Sequence, residues 1–391
     1  MKTVVLKFGG SSVADNEKLE KTTEKIIEFK KDKNVVVVVS AQGKMTSKLI
    51  EEALEISEVP KDREMDMLLS VGEQITAAKL SMLLNKKGYE SVSLTGWQAG
   101  IETNAMYQNA KINQIHIDRI NKELNKNKIV IVTGFQGIDE NQNITTLGRG
   151  GSDTTAVSLA AALEADKCYI YSDVDGVYTA DPRIVKKAKK LDKISYEEMQ
   201  EITDAGAKVL HNRCIKIGNQ FDCDIFAAGT FTQEKGTQIC REIEKPGIKS
   251  IVKNSNITLI QVKKQGTFEK QEIYDVYTNL LKHNIIVDEF KCDNRLEFNI
   301  DKSNENKIEE MFKKYYEDYK IYKKNIVKLS IIGYGITGDN KILLKTMEIL
   351  NKNNIEILYI DLTQSKIEVD VNDIDDSVIN LLHEKLIEKG N

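Results

Sequence analysis

The sequence is sparing with the residues on which several kinds of chemistry depend. Four histidines occur in 391 residues, His116, His211, His283 and His383. None lies in an H-E-x-x-H or H-x-x-E-H pattern, which disfavours a zinc hydrolase or a histidine-based triad. Five cysteines, Cys168, Cys214, Cys223, Cys240 and Cys292, are odd in number and include no C-x-x-C pair, so neither a disulfide framework nor a structural zinc site is expected. No unbroken apolar run is longer than Val35 to Val39, far short of the roughly 18 residues of a membrane span. An excess of positive charge is missing too. Lys+Arg 56 against Asp+Glu 60 gives a net charge of −4, without the basic field that nucleic-acid binding needs. The first residues show Lys7 within their apolar stretch and no small-residue cleavage pattern, so no secretory signal is read there and the expected location is the cytoplasm. Chemistry must run on lysines, carboxylates, glycines and hydroxyls.

What is present is the composition of a folded protein, 41% hydrophobic and 30% charged, long enough for two or three domains. Up to about Cys240, short β-branched runs alternate with periodic segments, the grammar of an α/β layer structure. Strands are expected over Thr3–Phe8, Asn34–Ser40, Ser91–Thr95, Lys128–Thr133, Lys167–Ser172 and Asp224–Ala227. A helix capped by Asp15 or Asn16 presents Leu19, Thr23, Ile26 and Ile27 on one face, and Ser195 with Glu198 reads as a capping box. This grammar ends near Lys245-Pro246-Gly247, which divides the chain into 1–244 and 245–391. In the tail a strand, a glycine turn and a helix recur with an offset of 70 residues, from Asn284 to Asn354, about one small βαββαβ module. Such modules suit a small ligand or a sister subunit better than chemistry.

Three stretches could carry chemistry. Lys7-Phe8-Gly9-Gly10-Ser11-Ser12 ends a strand with a lysine and two glycines, a phosphate cradle beside a point charge or, more plainly, a tight turn. Gly148-Arg149-Gly150-Gly151-Ser152-Asp153 opens a small-residue helix, where backbone donors and a planar guanidinium suit an anion, although Asp153 could merely cap the helix. Ser172-Asp173-Val174-Asp175-Gly176-Val177-Tyr178, running on to Arg183, follows a strand where an open α/β sheet collects ligands. It lacks the final glutamate of a calcium loop, so nucleotide contact is the better reading. Lys208 could be a second cation, or a solvated lysine on an amphipathic helix. Gly333-Tyr334-Gly335-Ile336-Thr337-Gly338 matches a dinucleotide fingerprint, but too little chain follows for the second half of such a domain.

No P-loop and no protein-kinase set is present. The series Lys7 to Val13, Ser40 to Thr46, Val71-Gly72-Glu73, Gly148 to Asp153, Asp173 to Arg183 and Gly206-Ala207-Lys208 resembles the successive motifs of the aspartate kinases, a family with the amino-acid kinase fold and a tail of two ACT modules. The resemblance implies an α/β kinase domain, mostly a parallel sheet between helices, followed by two ferredoxin-like modules at about 250–325 and 326–391, one threaded into the other. It implies ATP carrying Mg²⁺, L-aspartate as acceptor, and a first step toward lysine, threonine and methionine. Lys7, Asp153 and Lys208 would be catalytic, with Gly9, Gly10 and Ser11 on the transferring phosphoryl group. Ser40, Thr46, Glu73, Arg149 and Ser152 would hold aspartate, the carboxylate on Arg149 and the amino group near Glu73. Ser172, Asp173, Tyr178 and Arg183 would take the nucleotide. Gly335, Thr337, Gly338 and Asp339 would form an effector turn for lysine or threonine, in a homodimer or homotetramer. Ser11 and Ser172 stand where the family usually has threonine and keep the hydroxyl. Two other readings fit the sequence: a kinase of this fold acting on acetylglutamate or glutamate, and a silent amino-acid sensor.

Overall fold

The computed structural model describes residues 1–241, 246–316, 318–338 and 340–389. Two units are present. The first comprises Met1–Tyr178, Lys189–Asp204 and Lys208–Glu244, the second Thr179–Ala188, Ala205–Ala207 and Lys245–Asn391. The sequence division between 244 and 245 lies outside the described residues. The short segment Thr179–Ala188 sides with the second unit because Ala180 and Val185 are buried among Ile251, Leu329 and Ile331, and because Ile251 N–H donates to the Thr179 carbonyl at 2.9 Å.

In the first unit the chain order is β1 (Thr3–Phe8), α1 (Asn16–Lys30), β2 (Asn34–Val39), α2 (Met45–Ile56), α3 (Asp62–Leu69), α4 (Val71–Lys86), β3 (Ser91–Leu94), β4 (Ile101–Thr103), β5 (Ile112–Ile115), α5 (Asp118–Leu124), β6 (Ile129–Thr133), β7 (Gln136–Ile138), β8 (Ile144–Thr146), α6 (Gly151–Ala162), β9 (Lys167–Ser172), β10 (Lys193–Ile194), α7 (Tyr196–Asp204), α8 (Asn212–Phe221), β11 (Ile225–Gly229) and β12 (Thr237–Ile239). Eight strands form the main sheet in the order β10-β12-β11-β9-β1-β2-β6-β3. Its core, β11 to β3, is wholly parallel. Helices on both faces explain why Val4–Leu6 and Val35–Val39 are apolar without alternation. Strand alternation sends Leu6 and Phe8 to the core shared with Leu19 and Ile26 of α1 and Leu80 and Leu84 of α4. Asp15 caps α1, accepting from Lys18 N–H at 2.9 Å, and Ser195 and Glu198 bond each other's backbone N–H groups as a capping box. A small sheet, β5-β4-β7-β8, has strands of only three or four residues, too short to show a period in sequence.

The second unit contains β13 (Ser250–Lys263), α9 (Lys270–Lys282), β14 (Val287–Cys292), β15 (Leu296–Asp301), α10 (Glu305–Tyr315), β16 (Lys320–Ile332), α11 (Asn340–Lys352), β17 (Ile357–Leu362), β18 (Lys366–Val371) and α12 (Asp376–His383). Their sheet runs β14-β15-β13-β16-β18-β17, with every pairing antiparallel. Two ferredoxin-like modules share the long strands. Ile257–Lys263 of β13 pairs with β15 and with the start of β16, while Ser250–Asn254 pairs with the end of β16, which pairs with β18. Asn284 and Asn354, the repeat markers, both hold positive φ, 53° and 56°, as the left-handed residue after a helix. The glycine fingerprint at Gly333–Gly338 therefore leads into an antiparallel module and not a parallel dinucleotide fold. Among the described residues no helix is long and apolar enough to cross a membrane.

Lys328 of β16 is 3% exposed and pairs with Asp288 at 2.7 Å, Glu289 at 2.7 Å and Glu368 at 2.9 Å. Burial alone would lower its pKa, but Glu368 and the carboxylates of β14 raise it overall. Beside it Asn299 Nδ2 donates to Asp370 Oδ2 at 3.2 Å. Asp370 Oδ1 and Asn299 Oδ1 are buried acceptors without a hydrogen-bond donor among the described residues. Burial, together with Glu289 and Glu368, pushes the Asp370 carboxyl up to about 7. Asn299 of β15 and Asp370 of β18 are separated by β13 and β16 in pairing order. The sheet must therefore curl between β15 and β18 enough to bring these two side chains together beside Lys328. Replacing Lys328 by Met should remove the shortest ion pair of the half-buried Glu289 and leave Glu368 with Lys366 alone, at a cost of about 3 kcal/mol. Hydrogen exchange over β14 and β18 would show it as lost protection; unchanged protection would refute the hub.

Candidate active site

Because Leu6 and Phe8 face α1, Lys7 faces the other way, toward α6. Its Nζ lies 2.6 Å from Asp153 Oδ1, with side chains 10% and 15% exposed. Asp153 is the third residue of α6 and makes no cap; the N-cap is Gly150, without a side-chain hydrogen bond. Past β1 the chain turns tightly. A Cβ on Gly10 would stand 2.8 Å from the Ala41 carbonyl oxygen, so only glycine allows this approach. The Gly9 N–H is engaged by the Tyr171 carbonyl at 3.2 Å, which leaves Gly9 to supply space and not a donor. The N–H groups of Gly10 and Ser11 have no backbone acceptor among the described residues.

Around this pair the expected aspartate residues come from several elements. Gly150 has φ 68°, and a Cβ there would fall 2.1 Å from His211 Cγ, so the turn between β8 and α6 accepts no side chain at that point. Ser152 packs its Oγ against Gly134, which follows β6. Arg149 is exposed on the same turn and forms no ion pair among the described residues. Ser40 directly follows β2, its N–H donating to the Phe8 carbonyl at 3.1 Å, and Thr46 lies in the first turn of α2. Glu73, in the first turn of α4, is 3% exposed. Its Oε1 accepts from Ala41 N–H at 3.1 Å, while Oε2 is buried without a donor among the described residues. Burial raises this carboxyl to about 8 against the pull of the Ala41 N–H.

Two braces escaped the sequence reading. Asp66 is fully buried and accepts from Gln108 N–H, Thr146 N–H and Thr146 Oγ1, the last at 2.7 Å. Arg213 of α8 donates to the Leu147 carbonyl at 2.9 Å and the Ala110 carbonyl at 2.5 Å. Both anchor the segment leading into Gly148. Each is a single polar residue with no neighbour to mark it.

Beyond β9, Ser172 Oγ accepts from Val174 N–H at 3.1 Å and Asp173 is exposed. The Tyr178 hydroxyl donates to Asp175 at 2.9 Å, and Asp175 pairs with Lys190 at 3.4 Å. Arg183 belongs to the segment grouped with the second unit; its guanidinium is 88% exposed and bound to Asp181 at 2.6 Å. Lys208 does not lie on a helix, as the sequence suggested. It stands exposed in the loop between α7 and α8, where Gly206 with φ 108° has broken the helical run. In the second unit the expected effector turn has Gly335 at φ 68°, Thr337 Oγ1 3.5 Å from the Gln364 carbonyl, and Gly338 open to space; Asp339 lies outside the described residues.

The amino acid kinase family model matches residues 2–227. The chain is 41% identical to the aspartokinase of Bacillus sp. (strain MGA3), over 94% of this chain and 92% of that protein, and 40% identical to aspartokinase 2 of Bacillus subtilis, over 96% and 95%. Its fold matches E. coli aspartokinase III, solved in complex with aspartate and ADP, with a TM-score of 0.81 at 24% identity, covering 98% of this chain and 100% of that one. The match over more than half the chain and the near-complete coverage of those relatives place the chain in the amino acid kinase family and, within it, among the aspartokinases, which are ATP-dependent phosphotransferases.

Proposed function

We propose that this protein transfers the γ-phosphoryl group of ATP to the β-carboxylate of L-aspartate, the first step toward lysine, threonine and methionine. The observation that carries the reading is the Lys7–Asp153 pair beside the uncommitted N–H groups of Gly10 and Ser11. A free β-carboxylate has a pKa near 4 and is ionised at neutral pH, so it needs no general base. The task is to bring two anions together and to neutralise charge on the phosphoryl oxygens. Lys7, oriented by Asp153, supplies fixed positive charge; Gly10 and Ser11 supply backbone donors; Lys208 on its exposed loop meets the nucleotide phosphates. Mg²⁺ arrives on the nucleotide and shields its phosphates. Ser172, Asp173 and the ring of Tyr178, held by Asp175, receive the nucleoside.

The acceptor is held at both ends. Arg149, with no ion pair among the described residues, takes the α-carboxylate, and Ser40, Thr46 and Ser152 line the remainder. The orphaned Oε2 of Glu73 supports an ammonium at that position and so an unblocked amino acid, which favours aspartate over acetylglutamate. The second unit supports feedback by lysine or threonine at the Gly335–Gly338 turn. E. coli aspartokinase III, of the same fold, has also been solved with lysine and aspartate. A coupling of about 1–3 kcal/mol would suffice.

An ATP-coupled assay with hydroxylamine trapping of the acyl phosphate should detect product with aspartate and not with acetylglutamate. Lys7→Met should lower kcat by about 10²–10³; near-normal turnover would reject the assignment. Glu73 carries a second test. Its folded value of about 8 against an ordinary 4.5 means the native state keeps a proton that the unfolded chain has lost. That contribution is whole below about pH 4.5 and is lost as pH rises through about 8. Glu73→Gln should therefore gain in Tm over the parent as pH rises from about 5 to about 8.5, and should raise KM for aspartate about tenfold or more, the scale of a charged hydrogen bond. A constant Tm difference would contradict the raised carboxyl. Millimolar lysine or threonine should lower activity and shift Tm; if both leave both unchanged, the feedback reading falls.

A further inference from the structure

Three chain segments carry the residues assigned above to the phosphoryl group and the nucleotide, and a side chain outside that set joins two of them. Thr230, directly after β11, is 4% exposed. Its N–H donates to the Ser172 carbonyl at 2.9 Å and its hydroxyl to the same oxygen at 3.0 Å. Ser12, 1% exposed, places its Oγ 2.6 Å from Thr230 Oγ1. Proton counting fixes the direction. A carbonyl only accepts, so the single Thr230 proton is spent on Ser172, and Ser12 must donate to Thr230. The chain therefore runs from the Ser12 hydroxyl through Thr230 Oγ1 to the Ser172 carbonyl. At its near end Thr22 of α1 donates to the Ser12 carbonyl at 3.0 Å.

We propose that Thr230 is a positioning residue of the phosphotransferase site: through Ser12 it sets the separation between the Gly10–Val13 turn, which presents the phosphoryl donors, and the loop that starts at Ser172 and receives the nucleotide. The inference rests on the loop assignments in the proposed function. The turn needs such a tie. Its remaining backbone bonds to neighbouring strands and loops run from Gly9 N–H to Tyr171 and from Gly43 N–H to the Gly10 carbonyl, both ahead of Ser11, so beyond Gly10 the chain is fixed by side-chain bonds: those of Ser12 and Thr22, and one from Gln42 Nε2 to the Val13 carbonyl at 2.7 Å, which ties the turn to the segment after β2 and not to the Ser172 loop. Displacements of about 1 Å are enough to damage a phosphoryl-transfer geometry.

Thr230→Val keeps the shape and removes the hydroxyl; Ser12→Ala removes the donor alone. Each should raise KM for ATP about 3- to 10-fold, the scale of one neutral hydrogen bond, and leave KM for aspartate unchanged. The double variant should do no more than either single one, because a single chain is broken, and Thr230→Ser should restore the parent values. An unchanged KM for ATP in Ser12→Ala would overturn the proposal even if Thr230→Val failed to fold. So would an equal rise in both KM values accompanied by a fall in Tm, the mark of a structural role alone. Asp173→Ala, measured in parallel, separates the two levels. If it leaves KM for ATP unchanged, the loop assignment has failed; if it raises KM while the Thr230 and Ser12 variants do not, the brace alone has failed.

Discussion

An ammonium and a carboxylate 2.6 Å apart, at the parallel core of the main sheet, set the terms for everything around them. Lys7 stands in a strand whose other members are Thr, Val, Leu and Phe, and burying its charge alone would be costly. Asp153 makes it tolerable, and α6 makes Asp153 available. The carboxylate sits in the first turn of that helix, where the macrodipole favours negative charge, and is not spent on a cap. The strand fixes the lysine's height, since β1 is held by β2 on one side and β9 on the other. A cation presented this way is a structural partner and, in the proposed reaction, an electrostatic tool beside a glycine turn.

Much of this was legible in the sequence, for identifiable reasons. The central strands announced themselves because burial on both faces demands continuous apolar runs, and Asp15 and the Ser195–Glu198 pair did so because capping is local. Lys7 and Asp153 each stood in a glycine-rich motif. Local rules did not give their union, because they offered Asp153 a sufficient role as a cap and none spans the distance to β1; the family resemblance, which implies that Asp153 orients Lys7 and Lys208, did. Lys208 was misplaced on a helix because its neighbours are apolar at helical spacing, whereas Gly206 at positive φ had already ended the run. Asp66, Arg213 and Thr230 gave no sign at all. Each works by satisfying backbone groups of remote segments, and a pattern along the chain carries no record of such partners. The short strands β4, β5, β7, β8, β10 and β12 were invisible for a simpler reason: alternation needs length, although β3, also of four residues, was read.

In the second unit the repeat was visible and its wiring was not. Two asparagines at left-handed φ marked equivalent helix ends, but nothing in the sequence showed that β13 and β16 each serve both modules, or that Lys328 collects carboxylates from β14 and β18. A lysine in the middle of a strand is unremarkable until the sheet curls around it.

That shared wiring has a consequence for biosynthesis. Ser250–Asn254 is an outer strand of the second module, yet it leaves the ribosome before any other strand of that module and before the whole of the first. The inserted module has all its strands once β16 begins to emerge, and can close on itself. The host module must wait for β17 and β18, and its first strand stays unpaired until the end of β16 emerges. An arrangement of this kind rewards rapid closure of the guest, because until the end of β16 appears its compactness keeps the waiting edge in register and away from neighbouring nascent chains.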